Sequence, residues 1–227
     1  MIAILTGAGI SRESGLQTFR DQDGLWAGYR VEDVCTPYAL ARNRQFVLEF
    51  YNKQRQEFNS PRIKPNAAHL ALAELERKLP GKVLVITQNI DTLHEQAGSN
   101  NVLHMHGEIN KARCESCGAI LEWTCDITIE DSCPNCGKQG QLRPHIVFFH
   151  EMPLFMEDIE RALKHCTLFT AIGTSGVVYP AAGFCSLART AGAHCVELNL
   201  EPSCVCSVFH EARQGAATLL VPAFVKE

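Results

Sequence analysis

"LTGAGISRESG" (residues 5–15) is the stretch on which the reading of this chain turns. Three glycines follow the apolar run "IAIL" (2–5), the pattern of a buried strand opening into a loop that cradles a nucleotide phosphate. The spacing departs from the dinucleotide fingerprint, whose third glycine stands three residues after the second. Here Gly7 and Gly9 are followed by Gly15, six after Gly9. An NAD-dependent dehydrogenase also needs an acid at the end of a second strand about 20 residues on, and none stands there. The loop predicts a nucleotide-phosphate site, and its spacing counts against the dehydrogenase reading.

Working outward, short apolar runs recur at "KVLVIT" (82–87), "NVLHMHG" (101–107), "HIVFF" (145–149), "LFTAIG" (168–173), "CVELNL" (195–200) and "TLLV" (218–221). Each is too short for a helix and rich in branched residues, so each predicts a buried strand. Helical spacing of apolar residues marks "NAAHLALAELERKL" (66–79), "EDIERALKHC" (157–166) and "AAGFCSLARTAG" (181–192). The alternation predicts an α/β fold, a parallel sheet covered on both faces. Two regions interrupt it. Residues 27–65 hold the long polar helical stretch "YALARNRQFVLEFYNKQRQEF" (38–58), and residues 108–142 hold clustered cysteines. Both are expected to be insertions forming a smaller second lobe, with the ligand at the strands' C-terminal ends and in the cleft between lobes.

The 227 residues are 46% hydrophobic and 20% charged, with a net charge of -4. That balance is globular and argues against a polyanion-binding surface as the main function. No apolar run approaches the ~18 residues of a membrane span, and "MIAILTGAG" is not a secretory leader. The expectation is a soluble, cytoplasmic protein.

Four of the 11 cysteines, Cys114, Cys117, Cys133 and Cys136, form two C-x2-C pairs. This spacing favours a tetrahedral zinc over disulfides or a redox pair. Four thiolates leave no open position, so one structural zinc per chain is predicted. A zinc ribbon raises the rival reading of a nucleic-acid-binding protein. The acids flanking these cysteines match the bases in number, and direct nucleic-acid binding is not expected.

Polar residues gather where strands end. "TQNIDTLHEQAG" (87–98) places Gln88, Asn89 and Asp91 beyond "KVLVI", where they suit ligand contact better than a plain turn. In "LHMHGE", His106 stands just before Gly107 at a strand end and is the candidate general base. His69, His94, His145, His165, His194 and His210 have no such context. "GTS" (173–175) and "NLEPS" (199–203) supply small hydroxyl and Asn/Glu groups suited to phosphate and ribose.

Taken together, "GAGIS…SG…TFR", "TQNID", "HMHGE", the cysteine pairs, "GTS" and "NLE" resemble the sirtuins, the NAD-dependent protein-lysine deacylases. "RVEDVCTP", "PNAAHLALAEL" and "TSGVVYPAAGF" look most like the bacterial CobB-type members. The resemblance implies a Rossmann-like domain (1–26, 66–107 and 146–227), a helical module (27–65) and a zinc-binding module (108–145). It implies NAD as co-substrate and acylated-lysine proteins as substrates; no membrane partner and a monomer are expected alongside. The acyl oxygen attacks the ribose carbon bearing nicotinamide, and nicotinamide leaves. His106 activates a ribose hydroxyl that attacks the resulting imidate, and water completes release of free lysine and 2′-O-acyl-ADP-ribose. Mono-ADP-ribosyl transfer on the same fold is the alternative.

By the same resemblance, Gly7, Ala8, Gly9 and Ile10 hold the phosphates, while Thr18, Phe19, Arg20 and Trp26 belong to the segment closing over NAD. Asn89, with a catalytic role, and Gln88, Ile90 and Asp91 serve the ribose and the nicotinamide carboxamide. Gly173, Thr174, Ser175, Asn199, Leu200, Glu201 and Ala217 serve the adenosine side. Val147 and Phe149 pair with the substrate peptide.

Two departures stand out. The acidic-acyl subclass carries Tyr and Arg three apart on a helix, facing the acyl group; here Tyr51 is followed by Gln54, with Arg55 next. A helix turns about 100° per residue, so Arg55 should point away from Gln54's direction. Losing the charged contact costs about 1.5–3 kcal/mol. In "VFFHE", His150 replaces the family's glycine, and it either narrows the peptide cleft or adds a polar contact.

Overall fold

A computed structural model describes residues 1–17, the backbone of 25–26, and 28–226. Thr18, Phe19, Arg20 and the side chain of Trp26 lie outside the described residues. In chain order the strands are β1 (Ile2–Thr6), β2 (Leu25–Trp26), β3 (Tyr29–Arg30), β4 (Val83–Thr87), β5 (Val102–His104), β6 (Gly107–Cys114), β7 (Ile120–Glu122), β8 (Leu142–Ile146), β9 (Leu168–Ile172), β10 (His194–Asn199) and β11 (Glu211–Gln214). The helices are α1 (Ala8–Ser11), α2 (Val31–Val34), α3 (Pro37–Arg42), α4 (Arg44–Phe58), α5 (Ala67–Lys78), α6 (Leu93–Ala97), α7 (Met156–His165), α8 (Phe184–Thr190) and α9 (Ala217–Phe224). None is long and apolar enough to cross a membrane.

The chain forms two compact units, Met1–Thr18, Lys64–Met105 and Phe155–Glu227 in the first and Phe19–Ile63 and His106–Leu154 in the second. The first holds a six-stranded sheet in the order β11-β10-β9-β1-β4-β5, parallel throughout. Counted within this unit, the order is 6-5-4-1-2-3, the doubly wound arrangement. Alternate residues of each strand face opposite layers. Ala3, Leu5, Leu84 and Ile86 pack with Ile159 and Leu163 of α7 and Phe184 and Ala188 of α8. Ile4 and Val83 pack with Ala68 and Leu72 of α5 and Val221 of α9. Burial on both faces explains why β4 is apolar at four of its five positions, with Thr87 closing it. The order in which successive strands are added reverses between β1 and β9, so their C-terminal ends make the switch point that binds ligands in such folds.

The second unit holds an antiparallel sheet, β7-β6-β8, and the β2-β3 pair. Leu48 of α4 joins Ala112, Cys114, Ile127, Cys133 and Leu142 in its core. Asn52 locks α4 to the loop after β7 by donating to Ile127 O (2.9 Å) and accepting from Ile127 N (2.8 Å). Arg55 donates to Ile109 O (2.9 Å) and to Asn52 Oδ1 (2.8 Å).

Several sequence expectations are corrected. "TLLV" is not a strand but part of α9, while the sixth strand is the half-exposed "EARQ" of β11. An edge strand with one wet face needs no apolar run, and a helix can bury the same residues on one side. "HIVFF" does not join the parallel sheet; its first two residues end β8, antiparallel to β6. "NVLHMHG" divides, with β5 ending at His104 in the first unit and β6 starting at Gly107 in the second. The helical stretch 38–58 breaks at Asn43, whose non-helical backbone and side chain, accepting from Phe46 N (3.2 Å), start α4 afresh. The compact units also group His106, Gly107 and residues 146–154 with the second unit, where the expected division left them in the first.

Candidate active site

In the first unit, the loop after β1 meets the loop after β9. Gly7 N donates to Ile172 O (3.0 Å), and Gly9 N donates to Gly173 O (2.8 Å). A Cβ on Gly9 would stand 2.6 Å from Gly173 Cα, and one on Gly173 would stand 2.4 Å from Ile10 N. Both positions therefore need glycine for close backbone approach. Gly15 serves differently, closing the one-turn helix after α1 in a left-handed conformation (φ 98°). That is why the third glycine lies farther on than in the dehydrogenase loop, whose third glycine packs helix on strand.

Ser11 sits at the centre of the polar cluster. Its hydroxyl donates to Asp91 Oδ2 (2.9 Å), accepts from Asn89 Nδ2 (3.2 Å), and lies 3.5 Å from His69 Nε2. His69 Nδ1 accepts from Asn66 N (3.3 Å), so its proton is on Nε2 and points at Ser11. A hydroxyl has one donor and two acceptor sites, and all three are filled. Burial pushes the His69 ring down to about 4, which keeps it neutral. His94, edge-on to His69 at 5.0 Å and bonded to Thr6 Oγ1 (3.0 Å), is likewise held well below the ordinary range by burial. Burial raises the Asp91 carboxyl, opposed by hydrogen bonds from Leu93 N and Ser11 and by the charge of His104.

Asn89 Nδ2 also donates to Gly7 O (3.1 Å), tying the β4 loop to the glycine loop. Gln88 Nε2 donates to Thr174 Oγ1 (3.0 Å), and Asn199 Nδ2 donates to Thr174 O (2.7 Å). Gln88, Asn89, Asp91, Thr174 and Asn199 thus assemble with Gly7 and Gly9 at the switch point. Ser175 O accepts from Cys204 N (3.0 Å), while Leu200 and Glu201 are exposed beyond β10. Ala217 opens α9, whose next residue, Thr218, is bonded by Glu13 through its amide (3.0 Å) and hydroxyl (2.6 Å).

In the second unit, His106 and the 147–149 segment are held in one register. His106 O accepts from Val147 N (2.9 Å), and Cys35 O accepts from Phe149 N (2.9 Å). Gly107 has φ 83°, and a Cβ there would stand 2.0 Å from His145 O, so the position after His106 admits only glycine. Glu151 anchors the segment from below. It accepts from Arg143 (2.7 Å), Arg113 (3.0 Å) and Phe148 N (2.8 Å). Burial would raise its carboxyl, but these bonds and the two arginine charges hold it below the usual range. The Arg143 guanidinium lies 3.8 Å over the Phe148 ring, whose other neighbour is Tyr51, stacked at 5.6 Å.

Tyr51 is 0% exposed and donates to Cys35 Sγ (3.2 Å). Gln54 is buried within α4. Arg55, also 0% exposed, is committed to Ile109 O and Asn52. His150 adopts φ 72°, the left-handed region that explains a glycine as the usual occupant. Sequence reasoning overlooked Ser11, His69, Glu151 and Cys35. A signal existed for His69, since Asn66 and His69 form a reciprocal helix cap.

The sulfurs of Cys114, Cys117, Cys133 and Cys136 all lie within 4.8 Å of one another, with Cys114–Cys136 and Cys117–Cys133 at 3.8 Å. Tetrahedral zinc with bonds of about 2.3 Å puts sulfurs about 3.8 Å apart. Gly118 (φ 73°) and Gly137 (φ 72°) turn the chain after each pair and donate to Cys114 O and Cys133 O. The donor set fits a closed, structural zinc site.

A doubly wound nucleotide-binding unit joined to a unit with a four-thiolate metal centre defines the class. The chain belongs to the Sir2 family, whose model matches residues 7–180. It is 57% identical over 99% of its length to an NAD-dependent protein deacylase of Salmonella typhimurium, 82% of which is covered. It is equally similar to one from Vibrio cholerae, covering 100% of this chain and 92% of that protein. Among solved structures, a complex of a Sir2 homolog with NAD superposes with a TM-score of 0.88 at 36% identity, covering 99% of this chain and 88% of the other.

Proposed function

We propose that this chain is an NAD-dependent protein-lysine deacylase that takes acylated-lysine proteins as substrates and acts as a cytoplasmic monomer. The observation that carries this reading is the saturated Ser11–Asn89–Asp91 cluster packed on a glycine loop at the switch point. In this reading Gln88, Asn89 and Asp91 take the ribose and nicotinamide end of NAD, and Thr174 and Asn199 take the adenosine side. His106 receives the ribose hydroxyl proton, and the Val147–Phe149 segment orients the peptide. Zinc holds the second unit's sheet and does no chemistry. The test is turnover of one peptide bearing acetyl-, crotonyl- or succinyl-lysine with NAD, followed by mass spectrometry. Nicotinamide and 2′-O-acyl-ADP-ribose support the reading. ADP-ribose left on protein, a reduced cofactor absorbing in the near ultraviolet, or salt-sensitive nucleic-acid binding without turnover each overturn it.

The acyl preference follows from α4. Tyr51's hydroxyl is engaged by Cys35, Gln54 carries no charge, and Arg55 is anchored elsewhere. We infer robust deacetylation and weak desuccinylation, because a carboxylate entering this site meets no cation from these three residues. Gln54→Arg should raise desuccinylation by on the order of 10-fold or more. Wild-type desuccinylation equal to deacetylation would overturn the inference.

A further inference from the structure

His104, which ends β5 beside Thr87 of β4, is 5% exposed. Its Nε2 lies 2.8 Å from Glu95 Oε1 on α6, and its Nδ1 lies 3.2 Å from the main-chain carbonyl oxygen of Asn89. Both partners only accept. A neutral imidazole has one N–H and can satisfy one of them; the imidazolium satisfies both. The surrounding charges favour that form. Glu95 faces it from α6, its side chain 41% exposed, and Asp91 faces it from the loop after β4. Asp91 accepts hydrogen bonds on both oxygens, from Leu93 N and Ser11, as an ionised carboxylate does. Among the described residues no lysine or arginine pairs with it, and the positive charge acting on it is that of His104. Among the described residues His94 on α6 also faces it and is neutral through burial.

We propose that His104, as an imidazolium, is a positioning residue that ties the Asn89 peptide to Glu95 and gives Asp91 its counter-charge. This rests on the reading of Asn89 and Asp91 as the nicotinamide-end residues. The sign of the pH effect follows. The double bond is present at low pH and is lost as pH rises and the ring gives up its proton, so NAD binding weakens on the alkaline side. His106 acts in the opposite sense and on a different quantity, since a base must be deprotonated and governs kcat.

The test is NAD binding by calorimetry, with KM and kcat for deacylation, across about pH 6 to 9 in wild type, Glu95→Gln and His104→Gln. Wild type should bind NAD more weakly at the alkaline end, with KM following. Glu95→Gln, a change at a half-exposed side chain, should move that loss to lower pH, because the imidazolium loses its carboxylate. His104→Gln should bind on the order of 10-fold more weakly with little pH dependence, while kcat keeps its own profile. Overlaid binding profiles for wild type and Glu95→Gln overturn the proposal, even if His104→Gln fails to fold. Wild type that binds NAD with this profile but deacylates nothing overturns the functional reading and leaves the positioning role supported.

Discussion

The Ser11 hydroxyl gives its proton to Asp91 Oδ2 at 2.9 Å while Asn89 and His69 fill its two acceptor sites. Ser11 is therefore a hub that aims three other side chains. Ser11→Ala leaves the His69 N–H without an acceptor and Asp91 Oδ2 without its Ser11 donor, and leaves the Asn89 amide with Gly7 O alone. A buried group left unsatisfied costs about 1–3 kcal/mol. The variant should lose stability of that order in denaturant titration and bind NAD more weakly; unchanged NAD affinity would show that the hub does not align the site.

His106→Ala should abolish deacylation and leave NAD binding largely intact. General acid–base groups contribute roughly 10²–10⁴-fold. Gly107 and the His106 O–Val147 N bond hold the backbone whatever side chain is present, so the loss isolates the imidazole. Turnover above about a tenth of wild type would remove His106 from the role of base.

Zinc should be present at one per chain, and its removal should unfold the second unit. Cys114 and Cys133 lie in the same core as Leu48 and Leu142, so the metal and the packing form together. Metal analysis and circular dichroism during chelation check this. Full activity after complete removal would contradict it.

His150→Gly should stabilise the protein. A left-handed conformation costs a non-glycine residue roughly 1–2 kcal/mol, partly offset by the extra freedom glycine brings to the unfolded chain. The expected gain is up to about 1 kcal/mol, read in thermal or denaturant unfolding. A loss would mean that the exposed His150 side chain makes a compensating contact.

The central strands, the helices at 66–79 and 157–166, the glycine loop and the four cysteines were legible from residue pattern, because each depends on local periodicity or on a fixed ligand spacing. The same local signals misplaced "TLLV" and "HIVFF". A short apolar run says that a segment is buried, not whether it is buried as a strand in one sheet, as a strand in another, or as a helix face. Only the assembled sheet shows that Gly9 and Gly173, 164 residues apart in the chain, must both lack a side chain. Likewise, "AGIS" and "PNAAH" each hold an ordinary serine and histidine in sequence. Burial and convergence of three elements, α1, α5 and the loop after β4, turn Ser11, His69, Asn89 and Asp91 into one hydrogen-bonded set. What the sequence determined by itself was the chemistry available; what tertiary structure decided was which donors face which acceptors, since hydrogen bonds are set by distances of a few tenths of an ångström between residues far apart in the chain.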